Sequence, residues 1–264
     1  LISEGYLSDY IAYAPSAPDM TGAKTSMGDY QADDAGKRAS EAKIIGSVTD
    51  TWLRLGENEA TVCFACNVSH AQHLGIAFER IGVTNRVITA KTPQHEREEI
   101  LNLFSEGKVK ILINVATLTT GLDVDVRCLI FARPTKSMIL WTQCFGRALR
   151  TAPGKKKAIM LDHASNFERL GRPEDYVIDE LDDGEKNESS KAKKDAEEKK
   201  EKLPKPCPKC KVIKDAGIHE CPACGFIPVF NQDVETEEGE LVQIKGKPKS
   251  EKATKQDKQI FWSE

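Results

Sequence analysis

Short apolar runs of strand length recur along the first two thirds of the chain and alternate with segments of helical periodicity. The runs are rich in β-branched residues, as buried strands are, and cover Thr61–Ala65, Arg86–Thr89, Val109–Val115, Cys128–Phe131 and Ala158–Leu161. Apolar residues at three- and four-residue steps predict a helix from Asp34 to Leu55, and further helices follow the first, second and fourth runs. This alternation predicts an α/β fold, in which a parallel sheet carries helices on both faces.

Polar segments follow two of these runs at the points where the strands are expected to end. The third run leads into a turn that contains Thr117, Thr119, Thr120, Gly121 and Asp123. The fourth run leads into Arg133-Pro134-Thr135 and then a helical segment that carries Gln143, Gly146, Arg147 and Arg150. Ligands of open α/β sheets bind beyond the carboxyl ends of the strands, so both segments are expected to face one cleft.

The two arginines of this helical segment are candidates for binding phosphate. Arg147 and Arg150 are three residues apart and would lie on one face of a helix, with no acid in that turn. Paired guanidiniums suit a phosphate chain or developing phosphoryl charge. The same spacing also fits a solvated face that pairs with acids elsewhere. Spacing alone leaves both interpretations open.

The segments TTGLD (119–123) and QCFGRALR (143–150) resemble motifs V and VI of superfamily 2 helicases of the DEAD/DEAH type, in that order and at that separation. The similarity extends from about Ile44 to about Asn166, which is close to one complete second RecA-like domain. The sequence LDHASN after the last strand resembles helicase-like proteins of phage and prophage type. One departure is Asp125, where the family more often has proline.

The resemblance implies a set of functional residues. ATP with Mg²⁺ would bind between two RecA-like domains, and Arg147 and Arg150 would act as arginine fingers beside Gln143. Gly121, Asp123 and Gly146 would contact the nucleotide, and Gly121 and Asp123 would couple it to the strand-binding side. Ser69, in a turn that resembles motif IV, would bind the nucleic-acid backbone together with Thr117 and Thr119. Ser69 is also a candidate N-cap of the helix that follows it.

The first half of such a motor is not found in this sequence. Gly22-Ala23-Lys24-Thr25 lacks the spacing of a phosphate-binding loop. Residues 1–33 are therefore expected to connect a missing first motor domain to the helicase C-terminal domain at 34–180. ATP hydrolysis is expected only together with that missing domain, and the start at Leu1 indicates a fragment or a processed product.

A second constellation lies near the end of the chain. Cys207-Pro-Lys-Cys210 and Cys221-Pro-Ala-Cys224 form two knuckles that are separated by ten residues, which predicts a zinc ribbon at 207–230. So small a segment has almost no core, so bound metal would supply its folding energy. The ligands alone leave iron open as the alternative metal. The pair Cys63 and Cys66 is expected to form buried, inert thiols.

Composition bounds the rest of the chain. The formal net charge of −3 gives no global case for nucleic-acid binding, so any such site must be local. Residues 181–206 are charged and lack an apolar stripe, which predicts a solvated linker, and residues 231–264 are expected to form a hairpin and a basic tail. No bilayer-spanning stretch and no signal peptide are recognised, so a cytoplasmic protein is expected.

Two functions remain after these observations. The first is the C-terminal half of an ATP-dependent helicase or translocase that acts on nucleic acid, with DNA favoured over RNA. The second is a non-catalytic nucleic-acid-binding or interaction module, in which the ribbon and the basic tail bind and the RecA-like part is scaffold. An annealing or restriction-type translocase would keep the chemistry of the first.

Overall fold

The structure is a computed structural model, and it describes residues 2, 4–117, 124–175 and 203–228. Its elements in chain order are β1 (Asp9–Tyr13), β2 (Thr25–Ser26), β3 (Asp29–Tyr30), α1 (Ala32–Ala39), α2 (Ala42–Leu55), β4 (Thr61–Phe64), α3 (Val68–Arg80), β5 (Asn85–Ile88), α4 (Gln94–Ser105), β6 (Ile111–Asn114), β7 (Cys128–Phe131), α5 (Met138–Ala148), β8 (Lys157–Asp162), α6 (Asn166–Leu170), a 3₁₀ turn (Pro173–Asp175), β9 (Lys205–Pro206) and β10 (Ile213–Lys214). The predicted site residues Thr119, Gly121 and Asp123 lie outside the described residues, as do most of the predicted linker and the tail.

Six strands form one parallel sheet in the order β1-β8-β7-β4-β6-β5. Five of them coincide within a few residues with the predicted apolar runs, so the predicted parallel sheet is confirmed. The sixth strand, β1, lies within the segment that was interpreted as an interdomain connection. It pairs with β8 over five residues and forms one edge of the sheet.

Helices cover both faces of this sheet, because alternate strand residues point to opposite sides. On one face the buried cluster contains Phe64, Phe131 and Leu112 together with Phe104 of α4 and Trp141 of α5. On the other face Cys63, Ile113 and Ile130 pack against residues of α2 and α3, including Trp52 and Phe78. This two-sided core agrees with the predicted architecture.

The predicted helix from Asp34 to Leu55 is wrong in one respect, because it is two helices. The amide of Ser40 donates to the carbonyl of Gly36 and ends α1, and the carbonyl of Glu41 accepts from the amides of Ile44 and Ile45 as α2 begins. The apolar residues of α1 pack against Cys66, whereas those of α2 join the core on the sheet. The helix is interrupted at Ser40 because the apolar faces of α1 and α2 pack against different parts of the domain.

In the described parts of the chain, no helix is both long enough and apolar enough to cross a membrane.

Candidate functional site

The carboxyl ends of β4, β6 and β7 lie side by side at one edge of the sheet. The register pairs Phe64 with both Asn114 and Phe131, so the segments that follow these three strands leave the sheet at the same level. They are the turn before α3, the turn that begins after β6, and the loop Arg133–Ser137. The structure thus brings Ser69, Thr117 and the start of α5 to the edge where the sequence predicted a cleft.

Helix α3 is capped by a different residue from the one predicted. The side-chain oxygen of Asn67 accepts the amide of His70 at 2.9 Å, so Asn67 is the N-cap and the prediction for Ser69 is wrong. Ser69 lies in the first helical turn with an exposed side chain. It lines a depression of about 460 Å³ together with Lys37 and His73.

His70, next to Ser69, is buried and serves the fold. Its Nδ1 accepts the amide of Cys66 at 3.3 Å, and burial lowers its pKa to about 4, so the ring is neutral. Burial also raises the pKa of the Cys66 thiol to about 12 and raises that of Cys63. Both cysteines are therefore unreactive, as the sequence predicted.

The turn after β6 ends its described part with an unsatisfied hydroxyl. Ala116 adopts a positive φ of 56°, which turns the chain away from the strand direction. The Oγ1 atom of Thr117 is buried and has no hydrogen-bond partner among the described residues. A buried hydroxyl usually has a hydrogen-bond partner, and the residues that directly follow Thr117 lie outside the described part of the chain.

Helix α5 carries three of the predicted site residues. Ser137 caps it, because its hydroxyl accepts the amide of Leu140 at 3.2 Å. Gln143 is exposed and Arg147 is half-buried one turn later. Gly146 has open space where a Cβ would stand, and it lines a groove of about 890 Å³ that includes Thr142.

Arg150 does not lie on this helix. Helix α5 ends at Ala148, and Arg150 forms an isolated antiparallel bridge with Leu7 instead. The prediction that both arginines share one helical face is therefore wrong for Arg150. Each of the two arginines interacts with another group of the chain.

The backbone around Arg150 is held by two residues that the sequence did not indicate. The Nζ atom of Lys155 donates to the carbonyls of Val126, Ala148 and Arg150 at 2.7, 2.6 and 2.7 Å. Ser8 donates its amide to the carbonyl of Leu149 at 2.7 Å and its hydroxyl to that of Arg150 at 3.2 Å. A lysine after a Pro-Gly turn is normally solvated, so the sequence does not indicate the role of Lys155.

The four predicted metal ligands come together. The Sγ atoms of Cys207, Cys210, Cys221 and Cys224 lie within 4.8 Å of one another, and no disulfide joins them. The Sγ atoms of Cys207 and Cys224 are 3.8 Å apart, and those of Cys210 and Cys221 are 3.6 Å apart. Tetrahedral coordination with Zn–S bonds of about 2.3 Å places sulfurs roughly 3.8 Å apart, so the arrangement fits one zinc ion.

Backbone amides prepare one of these thiols for metal binding. The amide of Cys210, followed by that of Lys209, lowers the pKa of Cys207 to about 6. In the second knuckle, the amide of Gly225 donates to the carbonyl of Cys221, and Gly225 adopts a positive φ of 64°. A lowered thiol pKa favours the thiolate, which is the form that binds metal.

The cysteine segment packs against the sheet rather than standing apart. Val212 bridges to Tyr13 at the end of edge strand β1, and the amide of Ala14 donates to the carbonyl of Lys211 at 3.0 Å. Ile213 is buried and belongs to the same apolar cluster as Ala14. The segment therefore shares the core of the RecA-like domain.

Comparison with known proteins decides the family of the central domain. Residues 44–152 match the family described as "Helicase conserved C-terminal domain". This segment is a helicase C-terminal domain. The 51.5 kDa protein of a Lactococcus phage (isolate 7-9) is 29% identical over 230 residues, which are 85% of this chain and 48% of that protein. A Schizosaccharomyces pombe protein described as a candidate mitochondrial ATP-dependent helicase, irc3, is 32% identical over 136 residues, which are 51% of this chain and 22% of that protein.

The chain spans about half or less of the length of these curated relatives. Among solved structures, the Escherichia coli DEAD-box protein SrmB bound to regulator of ribonuclease activity A matches with a TM-score of 0.45 and 18% identity. That match covers 66% of this chain and 89% of the SrmB chain.

Proposed function

We propose that this chain supplies the second motor domain of an ATP-dependent helicase or translocase that acts on nucleic acid. The observation that carries the proposal is the match of residues 44–152 to a helicase C-terminal domain that includes Gln143, Arg147 and Arg150. These residues lie on or directly after α5, which follows the carboxyl end of a central strand. The first motor domain would supply the phosphate-binding loop and the magnesium-binding acids.

Arg147 and Arg150 would stabilise charge on the phosphoryl group that ATP with Mg²⁺ supplies when bound. Lys155 and Ser8 bind the backbone carbonyl of Arg150, so the main chain from which its guanidinium extends is held in place. A preorganised cation needs little rearrangement when charge develops, which is the property that phosphoryl transfer requires. Gln143 would help to orient the reacting groups. Gly121, Asp123 and Gly146 would contact the nucleotide.

The strand-binding surface would lie along the same edge of the sheet. Ser69 is exposed at the beginning of α3, and Thr117 has a buried hydroxyl without a described partner. Together with Thr119 they would hold the phosphates of one strand through hydroxyl groups and backbone amides. DNA rather than RNA is the substrate expected from the sequence.

Zinc would complete the C-terminal module. The four sulfurs of Cys207, Cys210, Cys221 and Cys224 lie within 4.8 Å of one another, and the strands in the described part of this region, 203–228, are the two-residue strands β9 and β10. Metal binding would therefore hold the fold of this module. Metal analysis of the purified chain should give one equivalent of zinc, and one equivalent of iron with a thiolate-to-iron absorption band would contradict the zinc assignment.

A second candidate is a non-catalytic binding module, in which the zinc ribbon and the basic tail hold nucleic acid. The docking of the ribbon on β1 favours it, because docking gives the ribbon a fixed orientation. The two candidates differ in whether the arginines matter for turnover.

The test is nucleic-acid-stimulated ATP hydrolysis by the chain alone and by the chain joined to its first motor domain. The proposal predicts no appreciable turnover by the chain alone and clear turnover by the joined protein. ATP hydrolysis by the chain alone would contradict an ATP site that is shared between two motor domains. Absence of turnover in both would favour the binding module, and strand affinity with and without zinc would then be measured.

A further inference from the structure

The N-terminal segment reaches across the domain to the loop that precedes α5. Strands β2 and β3 form a hairpin, and Asp29 at its end faces the loop Arg133–Ser137. The carboxylate of Asp29 accepts the hydroxyl of Thr135 at 2.8 Å and the amide of Lys136 at 2.7 Å. The guanidinium of Arg133 lies 3.9 Å from the same carboxylate. Asp29 therefore contacts three residues of this loop from more than 100 residues away in sequence.

These bonds continue into the first turn of the helix. Thr135 is fully buried, and its Oγ1 accepts the amide of Ser137 at 3.0 Å while its hydroxyl donates to Asp29. Ser137 in turn accepts the amide of Leu140 and caps α5. A continuous chain of hydrogen bonds thus joins the Asp29 carboxylate to the N-terminus of α5.

Tyr30, next to Asp29, adds a second contact to the same loop. The ammonium of Lys136 lies 4.8 Å from the centre of its ring, and the guanidinium carbon of Arg169 lies 5.3 Å from it. Arg169 also donates to the carbonyl of Thr135 at 3.1 Å. Two cations on one ring attach the hairpin to the loop.

The opposite end of α5 is held by the same N-terminal segment. Ser8 binds the carbonyls of Leu149 and Arg150, directly after the helix, and Leu7 bridges to Arg150. Residues 7–30 therefore contact both ends of the helix that carries Arg147.

We propose that Asp29 and Ser8 are positioning residues, through which the segment 7–30 sets the place of Arg147 and Arg150 at the nucleotide site. This inference rests on the proposed function, because it concerns what the two arginines do. Its structural part, that the segment holds α5 at both ends, can be tested without ATP turnover. A movement of the segment 7–30 would then move Arg147 and Arg150, so a change at the N-terminal segment could alter the nucleotide site.

The first experiment measures hydrogen exchange of the α5 amides in the 264-residue chain. Asp29→Ala removes the charged acceptor, and we expect exchange at residues 137–141 to accelerate roughly 10- to 100-fold, since hydrogen bonds to charged groups are worth this much. The matched control is Asp19→Ala. Asp19 also accepts a backbone amide within the N-terminal segment, but that amide belongs to Thr21 and not to the loop.

A second pair of variants keeps the hairpin intact. Thr135→Val removes the hydroxyl from the chain of bonds at nearly constant volume, and Thr135→Ser keeps it. We expect faster exchange of the α5 amides in Thr135→Val and near-native exchange in Thr135→Ser. Unchanged exchange at 137–141 in both Asp29→Ala and Thr135→Val would overturn the inference, even if one variant were less stable overall.

The second experiment uses the chain joined to its first motor domain. Asp29→Ala should lower kcat for ATP about 10-fold or more, with a smaller change in KM, because the arginines act on the transition state. The loss should be clearly smaller in an Arg147→Ala background, since only Arg150 is then left to position. An equal loss in both backgrounds would overturn the positioning role. If the joined protein showed no turnover, the proposed function would fail, and hydrogen exchange would still decide the structural part.

Discussion

The contact between the cysteine segment and the edge of the sheet makes a quantitative prediction about Ile213. Its side chain is 6% exposed and lies in the main core beside Ala12 and Ala14 of the edge-strand region. Removing such a side chain to alanine costs about 2–5 kcal/mol, and the lower part of that range applies where a small module can settle into the gap. We therefore expect Ile213→Ala to lower the free energy of unfolding by about 2–3 kcal/mol.

Other contacts of the segment contribute less. The ion pair between Arg172 and Asp215 is 2.9 Å long but largely exposed on the Asp215 side, so it is worth at most about 1 kcal/mol. The predicted loss from Ile213→Ala corresponds to a decrease in Tm of about 4–12 °C for a domain of this size. Thermal unfolding followed by the fluorescence of the buried Trp52 and Trp141 would measure it.

Zinc removal tests the same contact between the cysteine segment and the sheet in a second way. Without metal the segment should lose its fold and leave β1, so chelation should lower Tm by about as much as Ile213→Ala. In the chelated protein Ile213→Ala should add little, because both changes remove the same contact. Ile218→Ala is the matched control, since Ile218 lies in the same segment but is 42% exposed. An unchanged Tm on zinc removal, or equal effects of the two substitutions, would refute the docked arrangement.

Three further predictions concern Lys155, Asp162 and Asn67. Lys155→Met leaves three carbonyls without their cationic donor and should cost about 2–3 kcal/mol of unfolding free energy, measured in urea; a cost below 0.5 kcal/mol would contradict the contact. Burial raises the pKa of Asp162 to about 6, so its protonated form favours the fold and stability falls as pH rises from about 4 through 6; Asp162→Asn should remove about 2–3 kcal/mol of that pH dependence, and an unchanged profile would contradict it. Asn67→Ala removes the cap of α3 and should cost about 1 kcal/mol, whereas Asn67→Ser keeps a capping oxygen without a charge beside Asp33 and should retain more of the stability, as judged by Tm.

The sheet could be predicted from the sequence because its strands are buried on both faces. Such strands read as continuous β-branched runs, and the run at Cys128–Phe131 matches β7 residue for residue. Strand β1 is harder to recognise, because DYIAY is short and only one of its five residues is fully buried. The break at Ser40 was missed because the periodicity of α1 continues into α2, although the two helices pack on different partners.

Part of the candidate site could likewise be predicted from the sequence, and part of it could not. The four cysteines could be predicted because their spacing is local and the metal chemistry fixes their geometry. The place of Arg150 could not, because a helix end is set by tertiary contacts with Lys155 and Ser8 rather than by propensity. The bond from Asp29 to Thr135 joins loop residues far apart in sequence, and neither residue belongs to a recognisable motif.

The central claim is that this chain contributes arginines to ATP hydrolysis in a two-domain motor. The most direct measurement is kcat for nucleic-acid-stimulated ATP hydrolysis by the chain joined to its first motor domain, for Arg147→Ala and for Arg150→Ala. Arg54→Ala is the control, because Arg54 pairs with Asp50 on the exposed face of α2. We predict that each site variant lowers kcat by about 10³-fold or more, as expected for arginine fingers, and that the control is unchanged. Native kcat in both site variants would contradict the account.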